Sequence, residues 1–166
     1  MADIKTAYGT STAMTITLAS SPASATLVAG RESTALVNTS NLYEDYLLSG
    51  KITTGTSPTA TSIRIYAYAQ LFATGPVYPD VMDGTDSVET FASVEARDSA
   101  LVLAKAISVN TSNDITYWFG AISIRALFGE VPAAWGVWVT QDTGAILNAT
   151  GSNHAIWHQG VYRTAA

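Results

Sequence analysis

Four acidic residues recur at every third position around a glycine: Asp80, Asp83, Asp86 and Glu89, with Gly84 among them. Oxygen-only ligands on a flexible loop suit calcium. The spacing is not the Asp-x-Asp-x-Asp-Gly run with a later Glu of a calcium-binding helical hand. The segment therefore reads as a solvated acidic loop, and no metal or other cofactor is expected. His154 and His158 are the two histidines of the chain. Four residues apart in a strand they share a face at about 13 Å, too far for one ion. A helix would bring them together, but Ile156-Trp157 and Gly160-Val161-Tyr162 favour a strand. They read as packing beside Trp157, with pH sensing at an interface as the functional alternative.

Nucleophilic chemistry has little to build on. The chain has no cysteine, no Gly-x-Ser-x-Gly elbow, no Gly-x-Gly-x-x-Gly and no Gly-Lys-[Ser/Thr]. A Ser-His-Asp set need not be close in sequence, yet nothing singles out one serine, nor one carboxylate pair for glycoside cleavage. No catalytic residue is assigned and no enzyme is expected. Trp118, Trp135, Trp138 and Trp157, with eight tyrosines, supply rings on which a sugar could stack. Trp135 and Trp138 fall on opposite faces of a regular strand, so both cannot serve one platform. Core or subunit interface is the expected use.

The bulk composition narrows the partners. Hydrophobic residues make up 48% of the 166 residues and charged residues only 13%, against roughly 25% charged in ordinary soluble domains. The surface must then be rich in Ser, Thr, Asn, Gly and Ala, short side chains that lose little rotamer freedom when a neighbour covers them. The net charge is −5, and the eight basic residues are scattered, which argues against nucleic acid and anionic membrane. Neither a signal segment nor an apolar run long enough to span a bilayer is seen, so synthesis in the cytoplasm is expected.

The elements that must position these residues are strands. Met14, Ile16 and Leu18 alternate with threonines, and in Ser62 to Phe72 one face carries Ile63, Ile65, Ala67, Ala69 and Leu71. The other carries Arg64, Tyr66, Tyr68, Gln70 and Phe72. Glu44 to Thr54 (with a bulge or bend at Ser49-Gly50), Leu101 to Val109, Tyr117 to Arg125, Trp135 to Gln141 and Ala155 to Tyr162 are further strands. Turn clusters such as Thr74-Gly75-Pro76 and Asp142-Thr143-Gly144 separate them. Phe91 to Lys105 has room for a turn or two of helix. Ser20 to Asn41 is irregular, an extended arm or a pair of edge strands, and Gly75 to Thr90 is a long surface loop. The expectation is one all-β domain over residues 1–166, a sandwich or barrel, with residues 1–31 as an extended N-terminal arm.

Met1-Ala2-Asp3-Ile4-Lys5-Thr6, Gly30-Arg31-Glu32-Ser33-Thr34-Ala35, Ile63-Arg64-Ile65-Tyr66-Ala67-Tyr68, Trp135-Gly136-Val137-Trp138-Val139 and Trp157-His158-Gln159-Gly160-Val161-Tyr162-Arg163 together resemble small virion proteins of tailed bacteriophages. The likeness spans most of the chain in short phrases, without a diagnostic motif. It implies a β-sandwich, often of jelly-roll type, that serves as a cement or decoration protein of the virion, commonly a trimer, and clamps the major capsid protein or other virion proteins. A tail, neck or fibre-associated component is the second reading, and a carbohydrate-binding module the third. The expected interface residues are Asp3 and Arg31, bounding the lattice-contacting arm, and Tyr66, Tyr68 and Phe72, an aromatic face rarely left in water.

Overall fold

A computed structural model describes residues 3–59, 61–72 and 77–165. In chain order the strands are β1 (Ile4–Tyr8), β2 (Thr12–Ala13), β3 (Ala29–Glu32), β4 (Leu36–Val37), β5 (Asp45–Thr53), β6 (Ser62–Ala69) and β7 (Val88–Thr90). A short helix α1 (Val94–Ala100) follows, then β8 (Val102–Ser108), β9 (Thr116–Ser123), a second helix α2 (Ile124–Phe128), β10 (Ala134–Gln141) and β11 (Ala155–Ala165). Every pairing is antiparallel. One sheet runs β1-β11-β5-β9, with β2 also on β11; the other runs β7-β3-β10-β6-β8, with β4 also on β10. The chain is an all-β sandwich. Jelly-roll connectivity stays an expectation of the resemblance.

The first core lies between the sheets. Leu48 and Ile52 of β5, Ile63 and Ile65 of β6, Trp135, Val137 and Val139 of β10 and Ile156 of β11 meet there with Met14, Leu18 and Leu147. Complete burial of such side chains stabilises by about 1.5–3 kcal/mol each. The bulge expected at Ser49-Gly50 is present, as a register shift between Leu48 and Gly50 against β9. Gly50 is needed there because an added Cβ would stand 2.7 Å from the Ala155 carbonyl oxygen.

A second core covers the opposite face of the β6–β10 sheet. Tyr66, Tyr68 and Trp138 are buried there beneath Met82, Phe91 and Leu101. This explains why every residue of β10 is buried, a pattern usual for strands covered on both faces. The cover is the segment leading to α1, and Arg97 of α1 pins it. Arg97 is 2% exposed, lies 5.0 Å over the Tyr66 ring and donates to the Leu27 carbonyl at 2.7 Å. Each helix starts on a serine cap: the Ser93 and Ser123 hydroxyls accept from the amides of Ala96 and Ala126.

Three sequence expectations change here. The stretch 1–31 is not a free arm over its described part: β1 and β2 pair with β11, β3 with β10, and Met14, Leu18 and Leu27 are buried. Apolar side chains at alternate positions drew it onto the sandwich. Met14 to Leu18 keeps the expected alternation of burial but is not a strand, because Thr15 and Thr17 spend their hydrogen bonds on Thr34 and Asp86. Gly75 to Thr90 is no free loop either, although Gly75 and Pro76 lie outside the described residues along with the rest of the Thr74-Gly75-Pro76 turn. From Val77 on it carries β7 and roofs the second core through Tyr78, Val81 and Met82.

Candidate interaction site

The first and last strands extend beyond the sandwich as a two-stranded ribbon. Ile4 to Tyr8 pair with Ala165 back to Val161, whereas β5 follows β11 only as far as Val161, opposite Asp45. Among the described residues, no strand lines the outer edge of β1 or the second edge of β11 past Val161. Ile4, Lys5, Thr6 and Tyr8 are exposed, as are Tyr162 through Ala165. Isolated two-stranded ribbons are marginal in water, and unpaired strand edges are templates for another strand.

At the root of this ribbon the surface turns aromatic. Tyr8 is 58% exposed and Leu42 72% exposed, and the Tyr43 and Tyr162 rings lie 5.8 Å apart. An open cleft runs between them, lined also by Thr10, Asn41 and Arg163. Tyr43 is held in place by two glycines: a Cβ on Gly160 would overlap its ring and one on Gly9 would reach 2.9 Å from its hydroxyl. Asn38 fixes the loop, donating to the Tyr43 carbonyl and accepting from the Tyr43 amide and the Tyr46 hydroxyl. Burial pushes the Tyr46 hydroxyl up to about 12, with the neighbouring Tyr43 adding to it. An Arg163–Glu44 pair at 3.0 Å closes the rim; both partners are exposed, so it stabilises little.

The five residues expected at an interface are not brought to one face. Tyr66 and Tyr68 are buried beneath the chain's own segment Val81–Leu101, which corrects their assignment to intersubunit contact. The physical reason is the one that suggested them, an apolar patch that must be covered, but the cover is intramolecular. The Tyr68 hydroxyl donates to the Ser33 carbonyl at 2.8 Å. Arg31 is half-buried in β3, where its Nε meets Asp86 at 2.6 Å, so it anchors the fold. Asp3 stands exposed immediately before β1. Phe72 is 66% exposed and bridges to Val77. Tyr8 falls within the arm expected from Asp3 to Arg31, whereas Leu42 and Tyr162 were missed as contact residues.

The acidic residues separate. Asp86 accepts from the Thr17 amide and hydroxyl and from Arg31. Partial burial opposes its ionisation, but these bonds prevail and hold the carboxyl below its ordinary value. Asp83 and Glu89 instead gather near buried Glu32, their carboxylate oxygens within 4.8 Å of one another. Glu32 accepts from the amides of Asp83 and Gly84, while burial raises its carboxyl above the usual range. Asp83 is further occupied with the Thr85 amide and hydroxyl. The histidines also part: His154 Nδ1 accepts from the Thr53 amide and its Nε2 meets the Asn148 carbonyl. His158 points inward near the Tyr46 ring, its Nδ1 buried without a partner.

The four tryptophans divide cleanly. Trp135 is in the first core and Trp138 in the second, on opposite faces of β10 as the strand period required. Trp118 and Trp157 lie together on the outer face of the β11-β5-β9 sheet, with ring planes 10° apart and centroids at 6.3 Å. Trp118 is 69% exposed.

Against known proteins the chain matches no family profile, no curated sequence and no solved structure.

Proposed function

We propose that the chain is a structural, non-catalytic subunit of a tailed-bacteriophage particle, fastened to the assembled head as a cement or decoration protein. The observation that carries this reading is the β1–β11 ribbon: two exposed strands with open edges, standing clear of the core beside an aromatic cleft. Such an element gains its stability from a neighbour, by adding its edge to that neighbour's sheet. A subunit that binds only the assembled lattice stabilises it by mass action. The weakly charged surface, with Ile4, Tyr8 and Leu42 exposed around the ribbon, supports contact with other virion subunits, the major capsid protein first among them. A homo-oligomer, with a trimer favoured by the resemblance, is part of this proposal, as is location in the virion.

A tail or neck position rests on the same surface, and copy number separates the two. Quantitative mass spectrometry of purified particles is the test. Hundreds of copies per particle are expected for a head cement protein; a few dozen or fewer would move it to the tail or neck. Absence from the particles would overturn the virion reading.

A further inference from the structure

The two outer tryptophans have no role in either core. In register, Trp118 of β9 stands opposite Lys51 of β5, and Trp157 of β11 opposite Ser49 of β5. Strands two apart in a sheet are about 9.6 Å apart, whereas the ring centroids are 6.3 Å apart. The indoles therefore lean toward each other over β5. They can do so because Ser49 and Gly120 leave the space beneath them open; a Cβ on Gly120 would meet only the Ser49 Cβ, at 3.6 Å. Lys51 reaches over the Trp118 ring, its Nζ 5.8 Å from the ring centroid.

We propose that Trp118, Trp157 and Lys51 form a carbohydrate-binding platform for an anionic sugar, one carrying a uronate or sialate carboxylate. The C–H face of a pyranose is apolar and slightly positive, and it stacks on the negative face of an indole as aromatic edges do. The centroid spacing is too short to admit a ring between the indoles, so the sugar lies across their exposed surface. Charge selects the class of sugar. The chain carries a net charge of −5, yet none of the ion pairs among the described residues involves Lys51. Its ammonium, set over the Trp118 ring, has no carboxylate partner among the described residues, and a carboxylate on the ligand is its complement. A protein partner is disfavoured by the surroundings. Hot-spot tryptophans sit inside a ring of contacts that exclude water, whereas the cross-strand partners of this pair on β5 are the polar Ser49 and Lys51.

This inference does not rest on the virion reading, and its test does not touch particle copy number. The ¹⁵N-labelled chain is titrated with trigalacturonate, sialyllactose and the neutral cellotriose, following the four indole N–H resonances. Saturable shifts at Trp118 and Trp157 with one of the two acidic sugars are expected, with weaker binding of cellotriose. Trp118→Ala should weaken the acidic sugar by about tenfold, and Lys51→Gln should erase the preference over cellotriose. Unchanged Trp135 and Trp138 resonances confirm that both variants are folded. The proposal fails if none of the three sugars shifts the outer pair, or if Trp118→Ala leaves binding intact. It also fails if sedimentation shows an oligomer that Trp118→Ala dissolves, since the patch would then be a contact between copies.

Discussion

Gly136 and Tyr68 face each other across β10 and β6, and a Cβ on Gly136 would overlap the Tyr68 hydroxyl and come 2.6 Å from its Cε1. The absent side chain lets the phenol lie flat over β10 and reach the Ser33 carbonyl. The second core is thereby keyed to the sheet by one backbone position.

Gly136→Ala is expected to displace Tyr68 and lower stability by about 1–3 kcal/mol, the range for overpacking a core. Gly151→Ala, where an added Cβ meets nothing within 4 Å, should stay within about 0.5 kcal/mol of the parent. Urea denaturation of the two variants makes the comparison, and equal stabilities would refute the keying.

Arg97→Ala should loosen the cover of the second core. The substitution leaves the Leu27 carbonyl without its donor and removes the cation above Tyr66; a cost of about 2–3 kcal/mol is expected for a charge-assisted bond of this burial. Arg97→Lys should recover part of it. Hydrogen exchange at β6 and β10 amides reads the loosening directly, and protection unchanged from the parent would show that α1 is a passive lid.

Truncation distinguishes the ribbon from the core. Removing residues 1–9 takes away β1, which contributes no buried side chain, so a folded domain is expected and, under the proposed function, one with weakened attachment to heads. Removing residues 1–20 also deletes Met14 and Leu18 from the first core, at about 2–5 kcal/mol for each large side chain lost. Circular dichroism melts and re-binding to heads lacking the subunit give the two readouts. Full attachment by the shorter deletion would refute the ribbon as the fastening element.

Acid should destabilise the fold through its histidines. Burial lowers the pKa of His154 below the 6.5 of the unfolded chain, as it does for His158. In the interval beneath 6.5 the unfolded chain holds more protons, so stability is complete above 6.5 and falls as pH falls through that interval. Protonation at His154 Nδ1 would also set two donors against each other at the Thr53 amide. Glu32 works in the opposite sense: its raised pKa favours the folded state at acid pH, a contribution lost as pH rises above 4.5. His154→Gln should flatten the slope of stability between pH 7.5 and 5.5, measured by denaturant midpoints. An unchanged slope would assign it to other groups.

The alternation of Ile63, Ile65 and Ala67 with Tyr66 and Tyr68, the opposed faces of Trp135 and Trp138, and the bulge near Gly50 were legible in the residues alone. Each depends on local backbone geometry with a period of two, and that period is written in neighbouring positions. By itself, then, the sequence determined an all-β chain, its main strands and the inward face of a few of them, such as Met14 with Leu18 and Ile63 with Ile65, though Leu71, placed on the same face as Ile63 and Ile65, is exposed. It also determined a surface short of charge. Which apolar face met which partner was decided only by the tertiary structure. Tyr66 and Tyr68 were covered by the later segment Val81–Leu101, which carries Met82, Phe91 and Leu101. Trp118 and Trp157 came together from strands with no sequence relation, through the pairing of both with β5. The described part of the expected N-terminal arm was drawn into both sheets, leaving only β1 outside as a ribbon with β11. Burial is a property of area closed between distant segments, and strand pairing at long range follows from the global packing of both sheets. Neither is encoded in the spacing of any one stretch.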